Sequence, residues 1–217
     1  SKNKSITVIY GDDDISTADG YNTPLSYEGM TLVWQDEFNG SSLNTDSWTY
    51  EIGTGSNGWG NDELQYYRKE NTTVADGVLT IEAREQQFEG QNYTSSRIIT
   101  QGKHSFQYGR IDIRAILPEG QGLWPALWML GSNFSSAGWP HCGEIDIMEM
   151  IGGSERENTV HGTIHWDNNG YASYGGHYTL NSGIFSDEYH VFSIIWNERS
   201  ITWFVNDVQF HTVDITP

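Results

Sequence analysis

The sequence has 217 residues and carries 11 Lys and Arg against 29 Asp and Glu, a formal net charge of -18 at pH 7. This charge repels nucleic acids, anionic membranes and other polyanions, so none of these is an expected partner. A single cysteine, Cys142, excludes an internal disulfide framework. The length suits one domain with one sizeable core, and no stretch approaches the roughly 18 apolar residues of a membrane span.

The first 26 residues differ in composition from the rest of the chain. They hold one short β-prone run, SITVIY, and then an acidic segment punctuated by Gly and Pro. We therefore expect an N-terminal tail or linker over residues 1–26 and one folded domain over residues 27–217. The tail lacks the hydrophobic core and cleavage site of a signal peptide. For a secreted or extracellular protein, we expect the signal to have been removed already.

From Thr31 onward, short apolar runs alternate with turn residues. Over residues 110–114, for example, charged side chains alternate with isoleucines, which is typical of a half-buried strand. The spacing predicts an all-β fold, a β-jelly-roll sandwich of two antiparallel sheets whose concave face suits a polymer. In chain order, the predicted strand segments are TLVWQDEF (31–38), GVLTIEAREQ (77–86), SSRIITQGKHSF (95–106), YGRIDIRAIL (108–117), LWPALWML (123–130), GEIDIMEMIGG (143–153), NTVHGTIHW (158–166), YHVFSIIWN (189–197) and SITWFVNDVQFHTV (200–213).

The chain is rich in aromatic rings, with 9 Trp and 12 Tyr beside 24 Gly. Gly at turns and aromatic residues on strands are typical of a β-sandwich. Trp and Tyr rings also stack on the apolar faces of sugars, so they suit a carbohydrate cleft. The alternative is that they fill the sandwich core.

The most informative segment places three acids on one predicted strand. Alternate side chains of a strand share a face, so Glu144 and Asp146 are expected on one face with Ile145 and Ile147 on the core side. Glu149 has the opposite parity. A β-bulge near Met148 would return it to the face of the other two acids, so the sequence predicts a bulge there.

With the bulge, Glu144 and Glu149 would lie roughly 13 Å apart between Cα atoms, a gap that two leaning side chains can largely close. A carboxyl separation of about 5 to 5.5 Å suits a retaining glycosidase. Like charges so close resist joint ionisation, so at least one carboxyl is expected to have a raised pKa. The alternative is a solvated strand face that carries three acids without a chemical role.

The pattern Glu-x-Asp-x-x-Glu over residues 144–149 resembles the signature of glycoside hydrolase family 16, and in particular its laminarinase-like branch. The resemblance runs from about Leu32 to Phe210. The segments that carry it are VWQDEFNG (33–40), WGNDELQYY (59–67), GVLTIEA (77–83), SSRI (95–98), YGRIDIRA (108–115), GLWPALWML (122–130), HGTIHW (161–166) and WFVNDVQF (203–210).

The resemblance implies a jelly roll with a concave cleft and double-displacement hydrolysis of a glucan chain. It matches Glu144 to the nucleophile, Asp146 to the assisting acid and Glu149 to the general acid/base. It implies no cofactor for catalysis. Many members also bind a structural calcium ion, and Glu37 and Gly77 match two positions of that site.

Six further positions are candidate substrate-binding residues. By resemblance, two hold glucosyl hydroxyls on the non-reducing side and two lie near the cleavage point; a further pair shares a strand face by parity and suits a stacking platform. These are, in that order, Asn61 and Arg97, Trp139 and His165, and Trp124 and Trp128. The alternatives are loop or rim residues for the first pair, a structural histidine for the second, and core positions for the third.

The chain ends at Pro217, short of the closing strands of the family. One of those strands pairs beside the first strand of the domain and usually carries the calcium carboxylate. We therefore expect a C-terminal piece, or a strand donated by a partner, to complete the sheet.

Met148 narrows the expected substrate. Lichenase-type members lack the inserted residue, whereas agarases and carrageenases share it. The charge of -18 disfavours a sulfated galactan, so a β-1,3-glucan is the expected substrate. The alternatives are a mixed-linkage β-1,3(4)-glucan, a galactan, transglycosylation by the same acids, and a non-catalytic glucan-binding module, which would have lost them.

Overall fold

The computed structural model of the protein describes residues 4–9, 20–24 and 26–216. The chain divides into two compact units, residues 1–17 with 34–105 and residues 18–33 with 106–217. None of the helices in the described part of the chain has the length and hydropathy needed to cross a bilayer.

The first unit is organised around one long strand, β5. This strand pairs antiparallel with β1, β4 and β6, and β2 pairs antiparallel with β7, whereas β3 lies parallel to β6. Leu79 and Val74 are buried at 1% and 6% exposure on facing strands. The strands are β1 (Lys4–Ile9), β2 (Thr49–Glu51), β3 (Gln65–Tyr67), β4 (Thr72–Ala75), β5 (Val78–Phe88), β6 (Gln91–Ser95) and β7 (Arg97–Ile99), and the 3-10 helices are Gly58–Gly60 and Lys69–Asn71.

The second unit contains two antiparallel ladders. One has the order β12-β11-β10-β9, and the other has the order β15-β14-β13-β8. Their elements are β8 (Gly109–Ile116), β9 (Ala126–Leu130), the one-turn helix α1 (Phe134–Ala137), β10 (Glu144–Glu149), β11 (Thr159–Asp167), β12 (Tyr171–Thr179), β13 (His190–Trp196), β14 (Ser200–Val205) and β15 (Val208–Asp214).

The two ladders of this unit pack through aromatic rings against glycines. Trp203 on β14 is fully buried, and a Cβ at Gly162 on β11 would lie 2.4 Å from its ring. His211 on β15 meets Gly176 on β12 in the same way, at 2.7 Å. Because a glycine in a strand permits this close approach, the polar-looking strand β12 fits against the second ladder.

The all-β class is confirmed, and two of its details differ from the sequence prediction. The strand predicted over residues 31–38 does not form, and Val33 is 80% exposed. The prediction was wrong because alternation indicates extended backbone without supplying a pairing partner. The parallel pairing of β3 and β6 also departs from a purely antiparallel sandwich.

The predicted tail contains one strand. Lys4–Ile9 form β1, which pairs with β5 from Lys4 opposite Ala83 to Val8 opposite Leu79. Residues 10–19 lie outside the described residues, so the boundary at residue 26 stays a prediction. In the second unit, Arg114 donates from Nε to the carbonyl of Tyr21 at 2.6 Å and lies 3.9 Å from the Tyr189 ring. The hydrogen bond holds residues 20–24 against the rest of the second unit.

Candidate active site

The strand register places the three acids on one face of β10. In the β10–β11 ladder, Glu144 lies opposite His165, and Glu149 lies opposite His161. Asp146 lies opposite Trp128 in the β9–β10 ladder. Residues directly opposite each other in an antiparallel pair point to the same side, so these side chains share one surface, which we call the acid face.

The predicted β-bulge is present. Against β9, the register shifts between Asp146 and Met148, and against β11 it shifts between Asp146 and Glu149. Ile147 and Met148 are both buried, at 3% and 1% exposure. Two consecutive residues thus turn to the core, and the bulge returns Glu149 to the acid face, as parity requires.

His165 connects the middle acid to a tyrosine on the next strand. Its Nε2 lies 2.8 Å from Oδ2 of Asp146, and its Nδ1 lies 2.9 Å from the hydroxyl of Tyr171. The His165 and Tyr171 rings are stacked with centroids 5.7 Å apart. Both ring nitrogens therefore have a partner, which fixes the orientation of the imidazole.

The acids are close enough to perturb one another. Burial and the charge of Asp146 raise the pKa of Glu144 to about 7. Burial, and again Asp146, raise the pKa of Glu149. The hydrogen bond to Asp146 raises the pKa of His165. The expectation of at least one carboxyl with a raised pKa is therefore met, with desolvation as its main cause.

Three polar side chains on the acid face form a compact group. Glu144, Asp146 and His165 each bring one potential ligand atom within 4.8 Å of the others. Repulsion between two carboxylates at this distance favours a proton on one of the two. This arrangement of two carboxyls and an imidazole suits proton transfer.

Trp124 and Trp128 both border the acid face, as their parity predicted. Trp124 is 51% exposed and donates from Nε1 to Oε1 of Glu149 at 2.9 Å. Trp128 lies opposite Asp146 in the β9–β10 ladder. The structure thus places neither ring on the core side of the ladder, and Trp124 gains a hydrogen-bonding role that parity did not indicate.

Trp139 lies beside His165 in an exposed aromatic group. Its ring centroid is 6.3 Å from that of His165 and 5.1 Å from that of Tyr171. Trp139 and Tyr171 are 47% and 57% exposed. Two rings of this size at the surface offer flat apolar area next to the acid face.

Asn61 and Arg97 belong to the first unit, where the structure joins them through a chain of contacts. Arg97 lies over the Trp59 ring at 4.7 Å, and that ring is 5.9 Å from Tyr67. The Tyr67 hydroxyl donates to Oε2 of Glu63 at 2.6 Å, and the Asn61 amide donates to the other oxygen at 3.2 Å. We call this set, with Glu51 and Gln65, the polar cluster.

The carboxylates of the polar cluster are matched by a guanidinium in one case and by hydrogen-bond donors in the other. Nε of Arg97 lies 2.5 Å from Oε2 of Glu51. The Gln65 amide donates to Oε2 of Glu63 at 2.8 Å. Burial raises the pKa of Tyr67, so its hydroxyl stays a donor to Glu63. Asn61 and Arg97 are therefore held in place rather than free on a rim.

The calcium positions receive no support beyond the resemblance. Glu37 is half-buried, and Gly77 follows Asp76 in the turn between β4 and β5 with a φ of 71°. One carboxylate and one carbonyl fall short of the six to eight oxygens, roughly, that Ca²⁺ takes. The metal role of Glu37 and Gly77 stays a prediction.

Sequence reasoning missed several residues around both regions. Tyr171 lies on β12, which the alternation did not reveal. His161 and His177 form a cross-strand pair beside Glu149, with ring centroids 6.1 Å apart. The glycines of β12 were the available signal, because a glycine pair in a polar run indicates close backbone approach.

The chain matches known proteins over most of its length. The family model described as "Glycosyl hydrolases family 16" matches residues 60–216. The beta-glucanase of Rhodothermus marinus is 45% identical over 189 residues, which cover 83% of this chain and 64% of that protein. The glucan endo-1,3-beta-glucosidase A1 of Niallia circulans is 42% identical over 221 residues, covering 93% of this chain and 32% of that protein.

A solved structure agrees with these relatives. The catalytic domain of an endo-1,3-beta-glucanase (laminarinase) from Thermotoga petrophila RKU-1 superposes with a TM-score of 0.80 at 45% sequence identity, covering 85% of this chain and 77% of that chain. The chain covers 64% of the Rhodothermus marinus protein and 32% of the Niallia circulans protein, so it spans less than two thirds of the length of either relative. The family match and the identity over this span confirm the resemblance: the chain belongs to glycosyl hydrolase family 16.

Proposed function

We propose that this protein hydrolyses β-1,3-glucan chains internally, as a laminarinase, by a retaining double-displacement mechanism. The observation that carries the proposal is the acid face, where a bulged strand brings Glu144, Asp146 and Glu149 to one side and where burial raises the pKa of both glutamates. Two carboxyl groups with raised pKa on one half-buried face suit a nucleophile and an acid/base.

In the first step, the Glu144 carboxylate attacks the anomeric carbon, and Glu149 gives its proton to the leaving glycosidic oxygen. The products are a glucosyl ester on Glu144 and the shortened chain with a new hydroxyl. Burial raises the pKa of Glu149, which favours the protonated form that this role needs. The Trp124 N–H then stabilises the carboxylate that results.

In the second step, Glu149 takes a proton from water, and the water oxygen attacks the anomeric carbon and frees Glu144. Two displacements at one carbon leave the β configuration unchanged. Asp146 and Glu144 are hydrogen-bonded, so they share a proton as a pair. Asp146 is held in turn by Nε2 of His165 at 2.8 Å, which fixes the side chain beside the nucleophile.

Substrate contacts follow from the exposed groups. Trp139 and Trp128 offer ring faces for stacking on glucosyl units beside His165, and Trp124 adds a third ring at Glu149. Asn61 and Arg97 are proposed to hydrogen-bond glucosyl hydroxyls, because amide and guanidinium N–H groups are donors that a sugar hydroxyl can accept.

A neutral glucan suits the charge of the protein, since 11 basic residues against 29 acidic ones are poorly suited to bind sulfate groups. A polysaccharide is met outside cells, so we propose an extracellular site of action. The name of one relative, a glucan endo-1,3-beta-glucosidase, supports this linkage, and the name of the other, a beta-glucanase, supports a β-glucan as the polymer. Mixed-linkage β-1,3(4)-glucan is the second candidate substrate, because both polymers contain the β-1,3-linked glucosyl unit.

Hydrolysis of a panel tests the substrate. Laminarin, lichenan, agarose and carrageenan are each incubated with the protein, and new reducing ends and product lengths are measured. Laminarin is expected to give the highest rate, with oligomers of several lengths from the first minutes because cleavage is internal. Faster cleavage of agarose or carrageenan would contradict the glucan assignment, and binding without cleavage of any polymer would indicate a non-catalytic module.

A further inference from the structure

The bulge in β10 coincides with a hydrogen bond from the opposing ladder. The register of β10 shifts directly after Asp146, and a bulge disrupts the ladder at the residues it displaces. At this point the backbone carbonyl of Asp146 accepts a hydrogen bond from Nε1 of Trp203 at 2.8 Å. A side chain from β14 thus supplies a donor to the backbone between the first two acids and Glu149.

The Trp203 indole is held rigidly. It is 0% exposed, as is Ile194, the residue opposite it on β13. Its ring centroid lies 5.2 Å from that of His211. On the side of the acid-bearing ladder, Gly162 leaves room for it, since a Cβ there would lie 2.4 Å from Cδ1 of the indole. The N–H therefore has one direction available, toward Asp146.

We propose that Trp203 is a positioning residue that fixes the β10 bulge and thereby sets where Glu149 lies relative to Glu144 and Asp146. The inference rests on the hydrolytic function proposed above and goes beyond it, because Trp203 lies in the core of the unit and its hydrogen bond reaches the backbone of Asp146 rather than a carboxyl group. A one-residue change of register reverses the face of every side chain beyond it. The position of the bulge therefore decides whether the acid/base lies on the acid face.

The N–H group is the part of Trp203 that this role needs. Another apolar side chain could fill much of the same volume, but it would remove the N–H that Trp203 gives to the buried Asp146 carbonyl, and losing that bond weakens the preference for this local register. Trp196, on the adjacent strand β13, provides the contrast, because its buried Nε1 has no hydrogen-bond partner among the described residues.

The test compares Trp203→Phe with Trp196→Phe. Both changes remove an indole N–H from the same ladder, but only the first removes a hydrogen bond to β10. On laminarin, at a temperature where both variants are folded by near-UV circular dichroism, kcat of Trp203→Phe is expected to fall about 100-fold, as for a misplacement of about 1 Å. KM should change less than about threefold in each variant, and Trp196→Phe should keep kcat within about threefold of the wild type.

A second pair of variants tests the same hydrogen bond without changing either tryptophan. Gly162→Ala pushes a methyl group against the Trp203 ring, whereas Gly176→Ala on the neighbouring strand pushes one against His211, 2.7 Å from Cγ. Only Gly162→Ala is expected to lower kcat about as much as Trp203→Phe. If Trp203→Phe does not fold, this pair decides the question.

A readout that does not depend on turnover separates this inference from the proposed function. Side-chain carboxyl groups are followed by 13C NMR across pH, and the Glu149 resonance is expected to titrate at a different pH in Trp203→Phe and at an unchanged pH in Trp196→Phe. A wild type that cleaves no glucan would count against the function. If the wild type is active, the inference would be overturned by a Trp203→Phe variant with unchanged kcat and unchanged Glu149 titration. Equal losses of kcat in Trp203→Phe and Trp196→Phe would also overturn it, as would a failure of both Trp203→Phe and Gly162→Ala to fold.

Discussion

The acid face and the polar cluster treat their carboxylates in opposite ways. In the polar cluster, Glu51 lies 2.5 Å from Arg97, and Glu63 accepts hydrogen bonds from Asn61, Gln65 and Tyr67. On the acid face, three carboxyl groups share one strand surface with one imidazole and one indole N–H as partners. Paired carboxylates hold a shape, whereas burial and the charge of Asp146 raise the pKa of Glu144 and Glu149, which is the property that acid/base chemistry needs.

The largest expected effect is loss of the nucleophile on the acid face. Glu144→Ser should lower kcat on laminarin by about 10⁴-fold or more, because the covalent step has no substitute. Binding of a glucan oligomer should persist, since the stacking rings and the polar cluster are untouched. Rates are measured by reducing-end release, and binding by calorimetry. Activity within about tenfold of the wild type would remove Glu144 from the role.

The polar cluster should respond in KM rather than in kcat. Arg97→Met removes the hydrogen bonds proposed to hold glucosyl hydroxyls, and each hydrogen bond to a charged group contributes about 1.5 to 3 kcal/mol. KM is therefore expected to rise about tenfold or more, with kcat changed by a smaller factor, in steady-state assays on laminari-oligosaccharides. Lys69→Met, at an exposed position of the same unit, is the matched control and should leave both constants unchanged.

Stability should change in opposite directions in the two regions. The folded-state pKa of Glu144 is raised from 4.5 to about 7, so this carboxyl contributes most to stability below pH 4.5 and loses that contribution as the pH rises through about 7. Glu144→Gln should therefore stabilise the protein at pH 8, by about 1 to 2 kcal/mol, and leave it unchanged near pH 4. Arg97→Met should destabilise it by a similar amount at pH 8, because Glu51 loses its partner. Urea unfolding at both pH values measures these changes, and a destabilised Glu144→Gln at pH 8 would contradict the account of the acid face.

The smallest expected effect concerns the hydrogen bond from Trp124 to Glu149. This N–H lowers the pKa of Glu149 against the larger effect of burial. Trp124→Phe keeps a flat ring but loses the donor, so the alkaline limb of the kcat/KM profile should move to higher pH. Trp128→Phe, at the strand position opposite Asp146 rather than Glu149, should leave that limb in place. A shift to lower pH in Trp124→Phe would mean that Glu149 is not the group that must stay protonated.

The acid face could be predicted from the sequence because it is local. The parity of Glu144, Asp146 and Glu149 along one strand requires a bulge, and the structure has it between Asp146 and Met148. The polar cluster depends on contacts between distant segments, such as Arg97 with Glu51. Residue types there suggested binding, but the partners that orient each side chain follow from the fold.

Pairing partners explain the remaining differences. Residues 31–39 have the alternation of a strand but no strand pairing, whereas β12 has little alternation and pairs along its full length with β11. Trp203 was predicted to lie on a strand, but its bond to the Asp146 carbonyl joins residues 57 positions apart. Local sequence patterns indicate which face of a strand a side chain occupies, but they do not indicate which residues pack against that face.

The configuration of the first product tests the central claim most directly, because it reports how Glu144 and Glu149 act together. Laminarin is hydrolysed at high enzyme concentration inside an NMR tube, and the anomeric proton of the new reducing end is followed before mutarotation. Two displacements predict that the β-anomer appears first and that the α-anomer grows in later by mutarotation. An α-anomer in the first spectra would mean a single displacement by water, with the two carboxyl groups further apart, and would contradict the roles assigned to the acid face.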